Sequence, residues 1–258
     1  MASVKIGVSM LYTLGESFER MVEEIPKVGV KCVEVLDEGD HALDRQRVAV
    51  LRGVAESYGL EFTVHAPFAG VNIALHSESL LNASLKRLKE SVVNSAALGC
   101  KMWVFHPGIR TGISMFYPGR DWARNLEGVR AVAKFAQENG VEVAIENLVE
   151  PFVLKDVAEF KRLYDEGDDD LGLAFDTGHA NVIGEVEVFL KELPHELVHV
   201  HAHDNFGKTD QHLGIGYGNI NWQNVADLLK KASFDKIVMV ESVEHIEESV
   251  QKLKQLLL

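Results

Sequence analysis

Residues 61–108 read EFTVHAPFAGVNIALHSESLLNASLKRLKESVVNSAALGCKMWVFHPG. A short β-branched and aromatic run, a long segment of helical period and a second strand-like run follow one another here. In the middle segment Leu80, Leu81, Leu85, Leu88, Val92 and Ala96 recur at steps of three and four, the spacing of an apolar helix face, and Gly99 marks its end. The same unit recurs along the chain. Further strand candidates are VKIGVSM, CVEVL, VEVAIEN, LGLAFDT, LVHVHAHD and KIVMVES, with Gly59 and Gly140 at other helix ends and a last helix from about His245 to Leu257. Pro26 is expected to kink or end the first helical segment. Eight strands, each followed by a helix, predict an α/β protein formed of a single (β/α)8 TIM barrel, one domain over residues 1–258. A doubly wound open sheet is disfavoured because the turn after the first strand, GVSMLYTLGES, lacks the glycine spacing of a phosphate loop.

Composition narrows the function. No apolar run approaches the roughly 20 residues of a membrane-spanning helix, and the start MASVKIGVSM lacks the apolar stretch of a signal peptide, so a cytoplasmic location is expected. The cysteines Cys32 and Cys100 read as separate buried thiols. A net charge of −13 disfavours a general polyanion binder.

Chemistry is expected where the strands end. Six strand candidates close on a side chain able to bind a metal: His65, His106, Glu146, Asp176, His201 and Glu241. Their neighbours Val64, Phe105, Ile145, Phe175 and Val240 have the opposite parity and would face the helices. Three carboxylates gathered at one barrel mouth would repel one another, and a divalent cation resolves that conflict. The mixed nitrogen and oxygen donors suit Zn2+, Mn2+ or Fe2+. His179, Asp210 and His212, in the loops after strands six and seven, form a second group able to hold a further ion.

The remaining polar residues receive plainer roles. In VHVHAHD, His199 is expected to be a satisfied core residue, and His203 to support a metal ligand or to contact substrate rather than to be a ligand itself. Arg110, Arg120 and Lys208 are the cations of the mouth loops, and Phe68, Phe116, Tyr117 and Trp222 are candidates for an apolar pocket wall, with ordinary barrel packing the equal alternative for Trp222. The glycines of LGIGYGN read as a tight turn, or as a phosphate cradle ahead of the helix opened by NINWQNV. His41, His76, His195 and His245 are assigned no function, and Asp168, Asp169 and Asp170 a solvated turn.

The fragments VHAPF, FHPG, IEN, DTGHAN, HAHDNFGKTDQHLGIGYGNINW and ES resemble, in order and spacing, the xylose isomerase-like TIM barrels. That superfamily includes sugar and sugar phosphate isomerases and epimerases, and also endonuclease IV, of AP endonuclease family 2. The epimerase resemblance implies one divalent ion, Zn2+ or Mn2+, held by Glu146, Asp176, His201 and Glu241, with Glu146 and Glu241 transferring protons. The endonuclease IV resemblance implies up to three zinc ions on His65, His106, Glu146, Asp176, His179, His201, Asp210, His212 and Glu241. The loops DEGDHALD and VEHIEES are acidic, where gripping DNA takes many cations. The expectation is therefore an isomerase or epimerase acting on a small carbohydrate, contacted by His203, Arg110, Lys208, Phe68 and Trp222. A metal-dependent phosphodiesterase is the alternative, and a barrel that binds without chemistry comes third.

Overall fold

A computed structural model describes residues 4–167 and 171–258. The expected turn at Asp168, Asp169 and Asp170 lies outside the described residues. The strands are β1 (Lys5–Ser9), β2 (Cys32–Leu36), β3 (Glu61–His65), β4 (Met102–Phe105), β5 (Glu142–Glu146), β6 (Gly172–Asp176), β7 (Leu197–Ala202) and β8 (Ile237–Val240). They pair in parallel, in chain order, and close where β1 meets β8, with Lys5 opposite Ile237 and Val8 opposite Val240. Around them run α1 (Phe18–Glu24), α2 (Arg45–Tyr58), α3 (Glu78–Leu98), α4 (Arg120–Glu138), α5 (Val157–Asp165), α6 (Thr177–Val182), α7 (Val186–Glu192), α8 (Trp222–Lys231) and α9 (Ile246–Leu257).

Strand parity divides the core in two. Outward residues such as Val64, Phe105, Ile145, Phe175 and Val240 are fully buried in a large apolar mantle beneath the helices. Inside, Val104, Ala144 and Ala174 make a separate small cluster with Met102 and Val198 against it. A shift in pairing between Leu173 and Ala174, opposite Leu197 and His199, sets the level of the β7 histidines relative to β6. It places His201 opposite Asp176.

Local rules account for the helix ends. Gly59 and Gly99 close α2 and α3 in the left-handed conformation, and Pro26 falls in a 3-10 turn, Ile25–Lys27, that ends α1. The buried face of α3 differs from the expected one. Leu80 is 57% exposed, and Leu81, Ser84, Leu88, Ser91, Val92, Ser95 and Leu98 face inward. Small serines bring the helix close to the sheet, where Ser91 Oγ accepts the indole proton of Trp103 at 3.0 Å. Asp44 caps α2, accepting from the backbone N–H groups of Gln46 and Arg47. Asp44→Ala is expected to cost about 1 kcal/mol, read as a lower urea midpoint at unchanged slope. Cys32 and Cys100 are free and buried. Among the described residues, no helix is long and apolar enough to cross a membrane.

Candidate metal centre at the barrel mouth

His65, Glu146 and Asp176 are the last residues of β3, β5 and β6, His106 and Glu241 directly follow β4 and β8, and His201 lies in β7. All six reach one rim. Glu146 is the hub: Oε1 stands 3.0 Å from His201 Nδ1, and Oε2 lies 3.1 Å from His106 Nε2 and 3.4 Å from His65 Nε2. Glu241 Oε2 approaches His201 Nδ1 at 3.4 Å. Donor atoms of Glu146, Asp176, His201 and Glu241 lie within 4.8 Å of one another, as do those of His65, His106 and Glu146.

Above them stands a second group. Asp210 Oδ2 is 3.2 Å from His179 Nε2 and 3.0 Å from His212 Nε2. Asp176 starts α6, its Oδ1 accepting the His179 N–H at 2.6 Å, and this turns the imidazole over the rim. The His179 ring is also tied to the Asn147 carbonyl, and the His212 ring to the Glu241 carbonyl. His203 stands against the rim carboxylate Asp176 and outside the pocket lining. It is fully buried, its Nε2 sits 3.1 Å from both Asp176 oxygens, and its ring stacks on His212 at 3.9 Å. It therefore belongs with His179, Asp210 and His212, a set whose donor atoms also fall within 4.8 Å of each other. Gly178 makes this possible, because a Cβ there would lie 1.9 Å from the His203 ring.

The electrostatics follow from alternating acids and imidazoles in a largely buried site. Burial opposes every charge, yet His201 and His106 hold the Glu146 carboxyl well below its usual value. Burial is likewise overcome at His201, where Glu241, Glu34 and Glu146 push the ring well above the ordinary histidine range. The same contest leaves His179 raised to about 10, with Asp176 and Asp210 winning over burial. His106 goes the other way, lowered by burial despite Glu146. Glu241 is raised, by burial and by Glu146 and Asp176 nearby, against the pull of His201 and His212. The raised imidazoles His201 and His179 hold the neighbouring carboxylates together by their positive charge, a task a cation would take over. Three carboxylates and a histidine within reach of one point are a donor set that fits a divalent ion of the Zn2+ or Mn2+ kind.

Several expected contacts are corrected by long-range packing. Arg110 is consumed by Glu159 and Asp121 and by the Phe152 carbonyl, so it braces the β4 loop against α5. Arg120 lies over the Tyr117 ring. Trp222 packs among Val200, Val238 and Leu253 behind the barrel, its indole N–H on Asp204. Phe116 and Tyr117 are exposed, Phe116 to 72%, and do not wall the pocket. Lys208 is exposed on the β7–α8 loop, outside the pocket lining. Only Phe68 keeps its place, joined by Phe152, Leu11, Leu36, Leu148 and Val149 around a cavity of about 270 Å3 above the carboxylates. The proposed phosphate cradle is filled from within, since the Asp204 carboxylate accepts the N–H groups of Gly216 and Ile220. Gly218 lets that loop close, because a Cβ would meet Asp204 Oδ1 at 2.3 Å.

Two residues below the rim were assigned otherwise or passed over. His199 is buried as expected but not satisfied: neither ring nitrogen has a hydrogen-bond partner, and burial and then His201 push it down to about 4. Glu34, inside β2, is fully buried with an oxygen 3.3 Å from His201 Nε2. Its signal in the sequence was a lone carboxylate at the centre of the apolar run CVEVL.

The family model for xylose isomerase-like TIM barrels matches residues 22–256. A protein of Methanocaldococcus jannaschii, described as uncharacterized, is 29% identical over 265 residues, covering 98% of this chain and 88% of its own. The D-psicose 3-epimerase of Agrobacterium fabrum is 22% identical over 240 residues, 87% of this chain and 78% of that enzyme. A crystal structure described as a D-tagatose 3-epimerase-like protein superimposes with a TM-score of 0.92 at 28% identity, covering 98% of this chain and 97% of that one.

Proposed function

The chain belongs to the xylose isomerase-like TIM barrel family, and from that membership and the geometry of the mouth we propose that it is a divalent-metal-dependent isomerase or epimerase of a small ketose. The observation that carries this reading is the approach of Glu146 and Glu241, from β5 and β8, to one nitrogen of His201 beneath a small, partly apolar cavity. The names of its relatives, a D-psicose 3-epimerase and a D-tagatose 3-epimerase-like protein, support it. Glu146, Asp176, His201 and Glu241 would hold the ion. When bound, it supplies Lewis acidity to a ketose carbonyl and the hydroxyl beside it, making the intervening C–H acidic. Glu146 and Glu241 are the groups placed to take a proton from one face of that carbon and to return one on the other. Both carboxylates are buried, which strengthens their interaction with the ion and the substrate. Phe68 and Phe152 offer apolar faces that align the sugar ring or chain.

The pocket also narrows the substrate. Its described lining holds neither Lys nor Arg, which favours an uncharged ketose over a sugar phosphate. At about 270 Å3 it sits just below the roughly 300–1,000 Å3 range of drug-sized ligand sites, in keeping with a small molecule.

One observation favours a second reading. The group His179, His203, Asp210 and His212, added to the rim set, offers donors for more than one ion, as a trinuclear phosphodiesterase requires. Metal content separates the two. Elemental analysis of protein purified without chelator is expected to give about one divalent ion per chain, and dialysis against a chelator to abolish ketose turnover until Mn2+ or Zn2+ is restored. Two or three ions, with chelator-sensitive nicking of abasic duplex DNA at low salt, would favour the phosphodiesterase. Protein that carries no metal and takes up none would end both.

A further inference from the structure

Beneath the rim lies a set of buried polar atoms that the proposed reaction does not use. Glu34 and His199 are fully buried in the barrel interior. Ser9 and Thr63 stand opposite Glu34 on the two neighbouring strands. Thr63 Oγ1 donates to Glu34 Oε2 at 3.2 Å, while Ser9 Oγ has no hydrogen-bond partner. Packing gives no reason for a carboxylate here. Burying one is costly, and the barrel fills comparable interior positions with Val104, Ala144 and Met239.

What Glu34 faces is the far side of His201. Its Oε1 lies 3.3 Å and its Oε2 3.4 Å from Nε2. His199 does not compete for it, being 3.6 Å from Glu34 Oε2, beyond hydrogen-bond range. The other nitrogen of His201, Nδ1, is turned to Glu146 and Glu241.

We propose that Glu34 is a positioning residue for His201: by accepting the proton on Nε2 it fixes the ring so that Nδ1 presents its lone pair to the cation-binding group at the rim. The proposal rests on the metal-dependent reading above. A neutral imidazole carries its single proton on either nitrogen. Without Glu34 that proton has its acceptor on the wrong side, at Glu146 Oε1, and a hydrogen atom would occupy the face meant for the ion. With Glu34 in place, each nitrogen has a separate task, and the carboxylate raises the basicity of the ring as a metal donor.

The test measures binding rather than turnover. Competition against a chromophoric chelator gives the Zn2+ affinity of the metal-free wild type, Glu34→Leu and Glu34→Gln. Affinity is expected to fall about 10–100-fold in Glu34→Leu, and less in Glu34→Gln, whose amide oxygen still accepts the Nε2 proton. Histidine 15N shifts of the Zn2+-loaded wild type are expected to show His201 protonated on Nε2. The metal-free Glu34→Gln chain is expected to melt no lower than wild type, which separates orientation of the ring from a general structural role. Undiminished affinity in Glu34→Leu, or a loaded wild type with the His201 proton on Nδ1, overturns the proposal. Should Glu34→Leu not fold, the histidine 15N shifts of the loaded wild type decide alone, and a His201 proton on Nδ1 overturns the proposal. A wild type that takes up neither Zn2+ nor Mn2+ overturns the metal reading as well, whereas uptake left unchanged by the variants removes only the role of Glu34.

Discussion

With Glu241 replaced by Gln, exchange of solvent deuterium into the carbon-bound position of a ketose is expected to fall about 10²–10⁴-fold, the scale of losing a proton-transfer group. The residue stands just past β8, where its backbone N–H still donates to the Ala202 carbonyl whatever its side chain. Gln keeps the shape and removes the charge and the basicity. Glu241 shares the rim with Glu146 and Asp176, whose carboxylates raise its pKa further after burial has done so. Removing one of three crowded acids is therefore expected to leave the metal-free melting temperature unchanged or higher, although the affinity for the ion falls. Loss of exchange together with a retained or raised melting temperature marks a residue spent on chemistry rather than on folding. Wild-type exchange in this variant would remove Glu241 from the reaction and leave the ketose reading without its second carboxylate.

Asp204→Ala is expected to act on stability instead, by about 3–5 kcal/mol, since it strips the acceptor from buried donors. Asp204 is fully buried in the turn that leaves β7. Its Oδ1 accepts the N–H groups of Asn205 at 2.9 Å and Ile220 at 3.1 Å. Oδ2 accepts the Gly216 N–H at 2.9 Å and the Trp222 indole at 2.8 Å. A backbone bridge to Leu213 closes the base of the same loop. That loop carries Asp210 and His212, so loosening it is expected also to scatter the second donor group. A melting temperature about 10 °C lower is the measurable result. An unchanged melt would mean that water satisfies these donors as well as the carboxylate does.

The parts of the site that were legible in the sequence share one property: their placement is local. His65, Glu146 and Asp176 end their strands, and strand ends can be found from apolar runs and period-two alternation without knowing what lies across the barrel. Arg110 shows the opposite case. A cation in a mouth loop reads as free, and only folding reveals that Glu159, on α5, and Asp121, at the start of α4, neutralise it. Trp222 was likewise ambiguous, because an aromatic at a helix start packs outward or lines a pocket according to the turn before it. Asp204 fixes that turn from 18 residues away. The missing partner of His199 and the place of Glu34 were not legible for a further reason. Parity gives the side of the sheet a residue faces but not its height in the barrel, which depends on how each strand is staggered against the next.

The sequence by itself determined the eight-fold alternation of strand and helix, the inward parity of the histidines and acids, and their gathering at one end, because each follows from the period of a strand and the position of its last residue. The tertiary structure alone decided that Glu34 meets His201 across 167 residues, that His203 joins His179 and His212, and that the loop cations are already paired or turned away. Those outcomes depend on the stagger of a closed barrel and on charges finding partners in other elements. Neither leaves a trace in the local pattern of the chain.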